Sequence, residues 1–222
     1  IVSKVMQIKE NLVPYNHAAL LALMGDTPRV FLSPQGGLTI PIEGLFLCCV
    51  ANYQEPGTYY DLGVAYKNSR GRENKVNYSQ RNSGVLSHGG DTWIQHPGSD
   101  GETKCKTLVH AVSGFDKCDS AEGVVRFSAY NGGSLMQWNS RRCSCRPIVL
   151  AVIPGEIYVI PVPMSEAEIG SNSACIAAIF KIREGMMTIN SCCVVGMAKE
   201  ASTDSHAMST LTQTGMTAAR RL

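Results

Sequence analysis

The chain has 222 residues, of which 17% are charged, and its formal net charge is +2. This length suits one large β domain or two small ones. So small a net charge excludes a chain that neutralises many phosphates by itself, while few charged residues favour a surface covered by other subunits. An ordinary neutral domain with exposed turns fits the same composition.

The cysteines do not form a spaced disulfide framework. There are nine, an odd number, so they cannot all pair within one chain. Those in apolar runs behave as small buried hydrophobes; they are Cys48, Cys49, Cys175, Cys192 and Cys193. We therefore expect a reducing compartment and mostly free thiols. If the protein is extracellular, Cys105 with Cys118 is the expected disulfide.

Targeting signals are weak. No apolar run approaches the roughly 20 residues of a membrane helix, so membrane insertion is not expected. Residues 18–24 are apolar but lack the basic lead and cleavage site of a signal peptide. The chain begins at Ile1 rather than Met, which predicts a trimmed or processed product.

Residues 1–28 carry the only helical pattern in the chain. Val2, Val5 and Met6 have helical spacing, and residues 17–24 are rich in helix formers. The sequence therefore predicts a short N-terminal helical arm, or a lid over one end of the next domain.

From Arg29 the pattern changes to short strands separated by turn residues. The predicted strands cover residues 29–32, 38–42, 44–53, 59–66, 107–112, 123–130, 134–138, 148–153, 157–160, 175–182 and 186–197. Pro41 places the second strand at an edge or corner, and residues 67–80 predict a polar, basic loop or hairpin. Residues 123–130 alternate with period two and lead into a predicted hairpin turn at 131–133.

The densest run of strand-forming residues lies within residues 146–182. Three apolar strands so close together need a core on both sides, which predicts two facing sheets. We therefore predict an all-β fold: an antiparallel β-sandwich over residues 29–198, built as a jelly roll of about eight strands. Residues 199–222 are polar and predict an extended C-terminal tail.

No catalytic or cofactor-binding signature is present. The chain has neither a Gly-Asp-Ser-Gly-Gly run nor a Gly-x-Ser-x-Gly elbow, and it has no phosphate-binding loop. His88, Asp91 and His96 fit a cupin-like metal loop, but a Gly-rich turn with exposed histidines is the favoured interpretation. We predict a protein that is not an enzyme, with no metal and no cofactor.

Arginine clusters are the candidate contacts to nucleic acid. They comprise Arg141, Arg142, Arg146, Arg220 and Arg221. If functional, such short clusters predict weak, salt-sensitive and sequence-blind RNA contacts, but a solvated loop is the favoured interpretation.

The segment from Glu156 to Pro163, the polar loop after it, and the strand at Cys175–Ile182 resemble the closing strands of jelly-roll coat proteins in picorna-like viruses. The resemblance implies a capsid subunit cut from a polyprotein and assembled in the host cytoplasm into an icosahedral virion. Its partners would be other coat subunits, with viral RNA in weak contact. The strongly basic arm of several plant and insect coat proteins is missing.

A second function fits the same sequence: a secreted lectin-like or adhesin recognition domain. Aromatic residues near predicted loops would stack on sugar rings; they are Tyr53, Tyr59, Tyr60, Trp93 and Trp138. Ordinary core packing explains the same aromatics. The state of the cysteines separates the two functions, because paired cysteines favour secretion and free thiols favour the coat subunit.

Overall fold

The structure, a computed structural model, describes residues 29–33, 36–53, 58–90, 92–96, 105–131, 148–162, 164 and 173–196. The predicted helical arm at 1–28, the hairpin return at 134–138 and the tail at 199–222 all lie outside these residues. Within them the chain is all-β, and its one helical element is a short 3-10 turn, Phe115–Lys117.

Fourteen strands are present among the described residues. They are β1 (Arg29–Phe31), β2 (Gly37–Pro41), β3 (Phe46–Tyr53), β4 (Thr58–Asn68), β5 (Glu73–Val76), β6 (Asn82–Ser83), β7 (Leu86–His88), β8 (Thr92–His96), β9 (Cys105–Ser113), β10 (Ser120–Asn131), β11 (Ile148–Ile153), β12 (Glu156–Ile160), β13 (Ser173–Arg183) and β14 (Met186–Gly196). The long strands begin and end within a few residues of the predicted ones, because their apolar runs are bounded by Gly, Pro and Asn.

The strands form two sheets. The eight-stranded sheet has the order β1-β12-β11-β3-β9-β7-β6, with β8 also paired to β9. The six-stranded sheet has the order β2-β14-β13-β10-β4-β5. Every pairing is antiparallel except the short parallel contact of β1 with β12. The predicted antiparallel, two-sheet, all-β fold is therefore confirmed.

Local turn chemistry sets several of these hairpins. At the β13–β14 turn, Glu184 and Gly185 both have positive φ, 51° and 75°, as a tight two-residue hairpin requires. The β4–β5 turn is closed by the side chain of Asn68, whose Oδ1 accepts hydrogen bonds from the backbone N–H groups of Arg70 and Arg72. The basic segment at 67–80 is therefore a hairpin. As predicted for the strand holding Pro41, β2 stands at a sheet edge.

One apolar core lies between the sheets. Leu47 and Val149 enter it from the eight-stranded sheet, and Leu62, Phe127 and Phe180 enter it from the six-stranded sheet. All five are almost completely buried. At about 25 cal/mol per Å² of apolar surface removed from water, burial of each such side chain contributes roughly 1.5–3 kcal/mol to folding. Both sheets therefore contribute to one shared core.

The second face of the six-stranded sheet is also buried at its centre. On β10, Val125, Phe127 and Ala129 belong to the core between the sheets, as the period-two pattern predicts. The opposite face of the same strand carries Val124, Arg126 and Ser128, and these are equally buried. An arginine therefore lies inside the molecule, where it needs compensation.

Candidate functional site

Two histidines reach across from the eight-stranded sheet to the edge of β4. β4 pairs with β5 only at Val64 to Lys67, so β5 provides no hydrogen-bond partner for the backbone of Leu62. There the Leu62 carbonyl oxygen lies 2.9 Å from Nε2 of His88, and the Leu62 N–H lies 3.4 Å from Nδ1 of His110. The two imidazole rings thus occupy the place of a neighbouring strand.

The hydrogen bonds of His88 assign its tautomer. The backbone N–H of Gly90 donates to Nδ1 of His88 at 2.9 Å, so Nδ1 carries the lone pair. The proton then sits on Nε2 and is donated to the carbonyl of Leu62. His88 is neutral, buried and held on both ring nitrogens. The expectation of an exposed histidine in a Gly-rich turn is wrong for this residue, because its ring satisfies the edge of β4.

His110 contacts a carboxylate inside the protein. Its Nδ1 lies 3.3 Å from Oδ1 of Asp61, and both side chains are at most 5% exposed. One nitrogen cannot both donate to Asp61 and accept from Leu62, so only one of these two contacts is a hydrogen bond, and the position of the ring hydrogen decides which. The ring of His110 also packs edge-on against that of His88, with centroids 5.1 Å apart.

Arg126 is the second charged group of this interior. It is only 3% exposed, and it pairs in register with Gly63 of β4, two residues along from the pair of Ser128 with Asp61. Asp61 is therefore its diagonal neighbour, at a typical spacing of about 7–8 Å. Burial lowers the pKa of Arg126 to about 10, and the negative charge of Asp61 opposes that change. At neutral pH the guanidinium stays protonated, so the sheet holds a buried positive charge.

The Cys49 thiol beside this cluster is buried and has a raised pKa. Cys49 pairs in register with His110, which places a cysteine, a histidine and an aspartate together in the interior. Burial, reinforced by Cys48, Asp61 and Cys175, raises the pKa of Cys49 well above 9.0. A nucleophilic cysteine needs the opposite, a lowered pKa and access to solvent. The arrangement therefore stabilises the junction of the sheets and does not build a thiolate nucleophile.

Several predicted sites can now be placed. The candidate RNA contacts, Arg141, Arg142, Arg146, Arg220 and Arg221, all lie outside the described residues, so that prediction stands as made. Tyr60, one of the candidate sugar-stacking aromatics, is buried and stacks on Phe127 with centroids 5.7 Å apart. It is a core residue. Cys118 is a buried free thiol. Its pairing with Cys105 is expected only of an extracellular protein, and it stays a prediction.

Sequence reasoning missed Asp61 and Arg126. Each is the one charged residue of an apolar strand run, in YYDLGVAY and in GVVRFSAY. Their isolation among apolar residues is the one feature of the sequence that could have identified them. A single charged residue on a central strand is either exposed to solvent or buried with a partner. Only the order of strands in the sheet brings the two together.

Neither metal ligation nor membrane crossing has support within the described part of the chain. No group of three His, Cys, Asp or Glu side chains there is arranged to hold a metal ion. None of the helices described is long and apolar enough to span a bilayer. Comparison of the chain with protein-family models, with curated proteins and with solved structures finds no match.

Proposed function

We propose that this chain is a structural coat subunit of an icosahedral, picorna-like virus, which assembles in the host cytoplasm and encloses viral RNA. Its partners are sister copies and other coat subunits, and it catalyses no reaction. The observation that carries the proposal is a two-sheet β fold with buried free thiols. Cys48, Cys49 and Cys118 are buried and form no disulfide. Free thiols of this kind are typical of proteins made in a reducing compartment.

The polar interior supports a structural role. His88, His110 and Asp61 bond to each other or to the backbone of β4, and Cys49 beside them has a raised pKa. A reactive centre needs a nucleophile or base at a surface that substrate reaches. These groups instead tie two sheets together, as a shell subunit requires.

A jelly-roll connectivity is the finer fold that we propose. Most connections between the long strands pass from one sheet to the other, including β2 to β3, β3 to β4, β9 to β10 and β10 to β11. Such crossings are what winds strands into two layers. The hairpins β11–β12 and β13–β14 stay within one sheet, so the proposal is a variant of the plain eight-strand arrangement.

Sheet edges are the proposed contact surfaces for sister subunits. The edge strand β1 consists of three residues and carries Val30, which is 40% exposed. Apolar side chains on an edge strand are protected in stable proteins by a further strand or a neighbouring molecule. Val30 is therefore the expected centre of one contact between copies.

Sedimentation velocity over a range of protein concentrations tests the proposal. The chain should form species much larger than its 23.9 kDa monomer as concentration rises, and Val30→Lys should move that transition to higher concentration. Val85→Lys is the matched control, because Val85 is 39% exposed but lies in a turn between β6 and β7. A chain that stays monomeric at every concentration, salt and pH contradicts a coat subunit.

The secreted recognition domain is the weaker alternative. Buried free cysteines argue against an oxidising compartment, and Tyr60 is packed in the core away from any ligand. Thiol titration of the denatured protein separates the two functions. A coat subunit should give nearly all nine cysteines as free thiols, whereas paired cysteines would favour secretion.

A further inference from the structure

The side-on edge of the Arg126 guanidinium is buried and has no acceptor among the described residues. Neither Nε nor Nη2 of Arg126 makes a hydrogen bond within that part of the chain. These two nitrogens lie on the same edge of the planar group, the edge that grips both oxygens of a carboxylate or phosphate at once. Leaving a buried charge without hydrogen bonds costs several kcal/mol, so a hydrogen-bond acceptor at this edge would stabilise the folded protein.

Ser128 provides a third donor on the same face. It follows Arg126 by two residues on β10, so the two side chains point the same way about 6.6 Å apart along the strand. Its Oγ is buried and likewise lacks a hydrogen-bond partner among the described residues.

Asp61 does not meet these donors. Nε and Nη2 of Arg126 and Oγ of Ser128 make no hydrogen bond to its carboxylate, although Asp61 is the cross-strand partner of Ser128. The charge of Asp61 acts on Arg126 through space.

The strands beside Arg126 are irregular at this level. The pairing of β10 with β13 shifts between Val125 and Arg126, and the pairing of β13 with β14 shifts between Ile176 and Ala178. The irregularities therefore run through three adjacent strands in one line. Bulges of this kind re-aim side chains and concentrate beside functional sites.

We propose that Arg126 and Ser128 form a binding site for a single oxyanion, a carboxylate or phosphate group held side-on by Nε and Nη2 and capped by the Ser128 hydroxyl. The group comes either from a small anion in solution or from an acidic side chain of a sister copy. The site does not depend on the proposed coat function, since a monomer would bind the free anion equally well.

Thermal unfolding of the full chain tests the site, with inorganic phosphate or acetate replacing chloride at constant ionic strength. At about 100 times the dissociation constant, the melting temperature should rise by about 5–10 °C. Arg126→Lys keeps the charge but loses the side-on edge, so it should lose most of this rise. Ser128→Ala removes only the capping hydroxyl and should reduce the rise while leaving the fold intact. Arg72→Lys, at an exposed turn, is the matched control and should retain the full rise.

A second arm identifies the source of the anion. If a sister copy supplies the group, the melting temperature in plain chloride should rise with protein concentration, and Arg126→Lys and Ser128→Ala should both diminish that rise. If a small anion fills the site, the rise should follow phosphate or acetate at fixed protein concentration. The proposal is overturned if neither dependence exists, or if both variants keep the wild-type dependence.

Discussion

At the scale of single residues, the two buried histidines are the clearest case of side chains that contact backbone groups where a neighbouring strand would otherwise pair. His88 satisfies the carbonyl of Leu62 and the N–H of Gly90, and it lies in the eight-stranded sheet while Leu62 lies in the other. The sheets are therefore joined at this corner by hydrogen bonds as well as by apolar packing.

Replacing His88 measures this link. In His88→Ala the Leu62 carbonyl and the Gly90 N–H lose their partner in the interior, and each such loss costs about 1–3 kcal/mol. We expect the free energy of unfolding, measured by urea denaturation, to fall by about 3 kcal/mol. Ser87→Ala, one residue away and less buried, should change it by less than about 1 kcal/mol. Equal losses in the two variants would mean that His88 does not tie the sheets together.

The interior thiols predict how stability depends on pH. Burial raises the pKa of Cys48 from 9.0 to about 12 in the folded protein. The folded state thus holds this proton more tightly than the unfolded chain. The resulting stability is fully present below pH 9 and is lost as the pH rises from 9 towards 12.

Equilibrium unfolding between pH 7 and pH 10.5 checks this dependence. If Cys48 alone titrates, we expect the free energy of unfolding of the wild-type protein to fall by about 1.4 kcal/mol for each pH unit above 9. Cys48→Ala should be less stable at pH 7 because it leaves a cavity, but its stability should fall less steeply above pH 9. Parallel slopes would show that the Cys48 thiol is not the titrating group. Arg126, with its pKa lowered to about 10, acts in the opposite direction above pH 10.

At the scale of elements, the centre of the six-stranded sheet is packed against its own neighbours. An added Cβ on Gly123 of β10 would lie 2.5 Å from the backbone oxygen of Ala65 and 2.6 Å from Cζ of Phe180. Real Cβ atoms do not approach backbone oxygens so closely, and β4 cannot yield without breaking its pairing with β10.

Gly123→Ala is therefore expected to lower the free energy of unfolding by about 2–3 kcal/mol through overpacking. Ser120→Ala, on the same strand but only partly buried, should change it by less than about 0.5 kcal/mol. Chemical denaturation of both variants makes the comparison. If Gly123→Ala unfolds at the wild-type denaturant concentration, β4 and β10 are not in this register.

Strands were the part of the fold that sequence could predict. The run from Gly44 to Tyr53 is apolar and bounded by turn residues, and it folds as β3 between β9 and β11. The turn at Glu184–Gly185 and the edge position of Pro41 follow from local chemistry in the same way. Each of these features depends on residues close together in the chain.

Sheet order and the polar interior could not be predicted in this way. The contact between Leu62 and His110 joins residues 48 positions apart, and the contact between Asp61 and His110 depends on the same folding of β4 against β9. Periodicity states which residues share a face of one strand, but not which strand pairs with it. From the sequence alone, Arg126 is therefore interpreted as a residue on the polar face of a strand. Its burial follows only from its position between β4 and β13.

At the scale of the whole molecule, two sheets enclose one core, buried histidines join them, and the edge strand β1 exposes Val30. Such an edge favours association with further copies, and the low fraction of charged residues does little to oppose it. The proposed coat function is the interpretation that uses all of these features together.

Negative-stain electron microscopy of the concentrated native protein tests that interpretation most directly. We expect closed, roughly spherical particles of uniform diameter, which dissociate when Val30→Lys is introduced and persist in Val85→Lys. A field of separate single molecules, under conditions from low to high salt and from acid to neutral pH, would contradict the assignment of this chain as a shell-forming subunit.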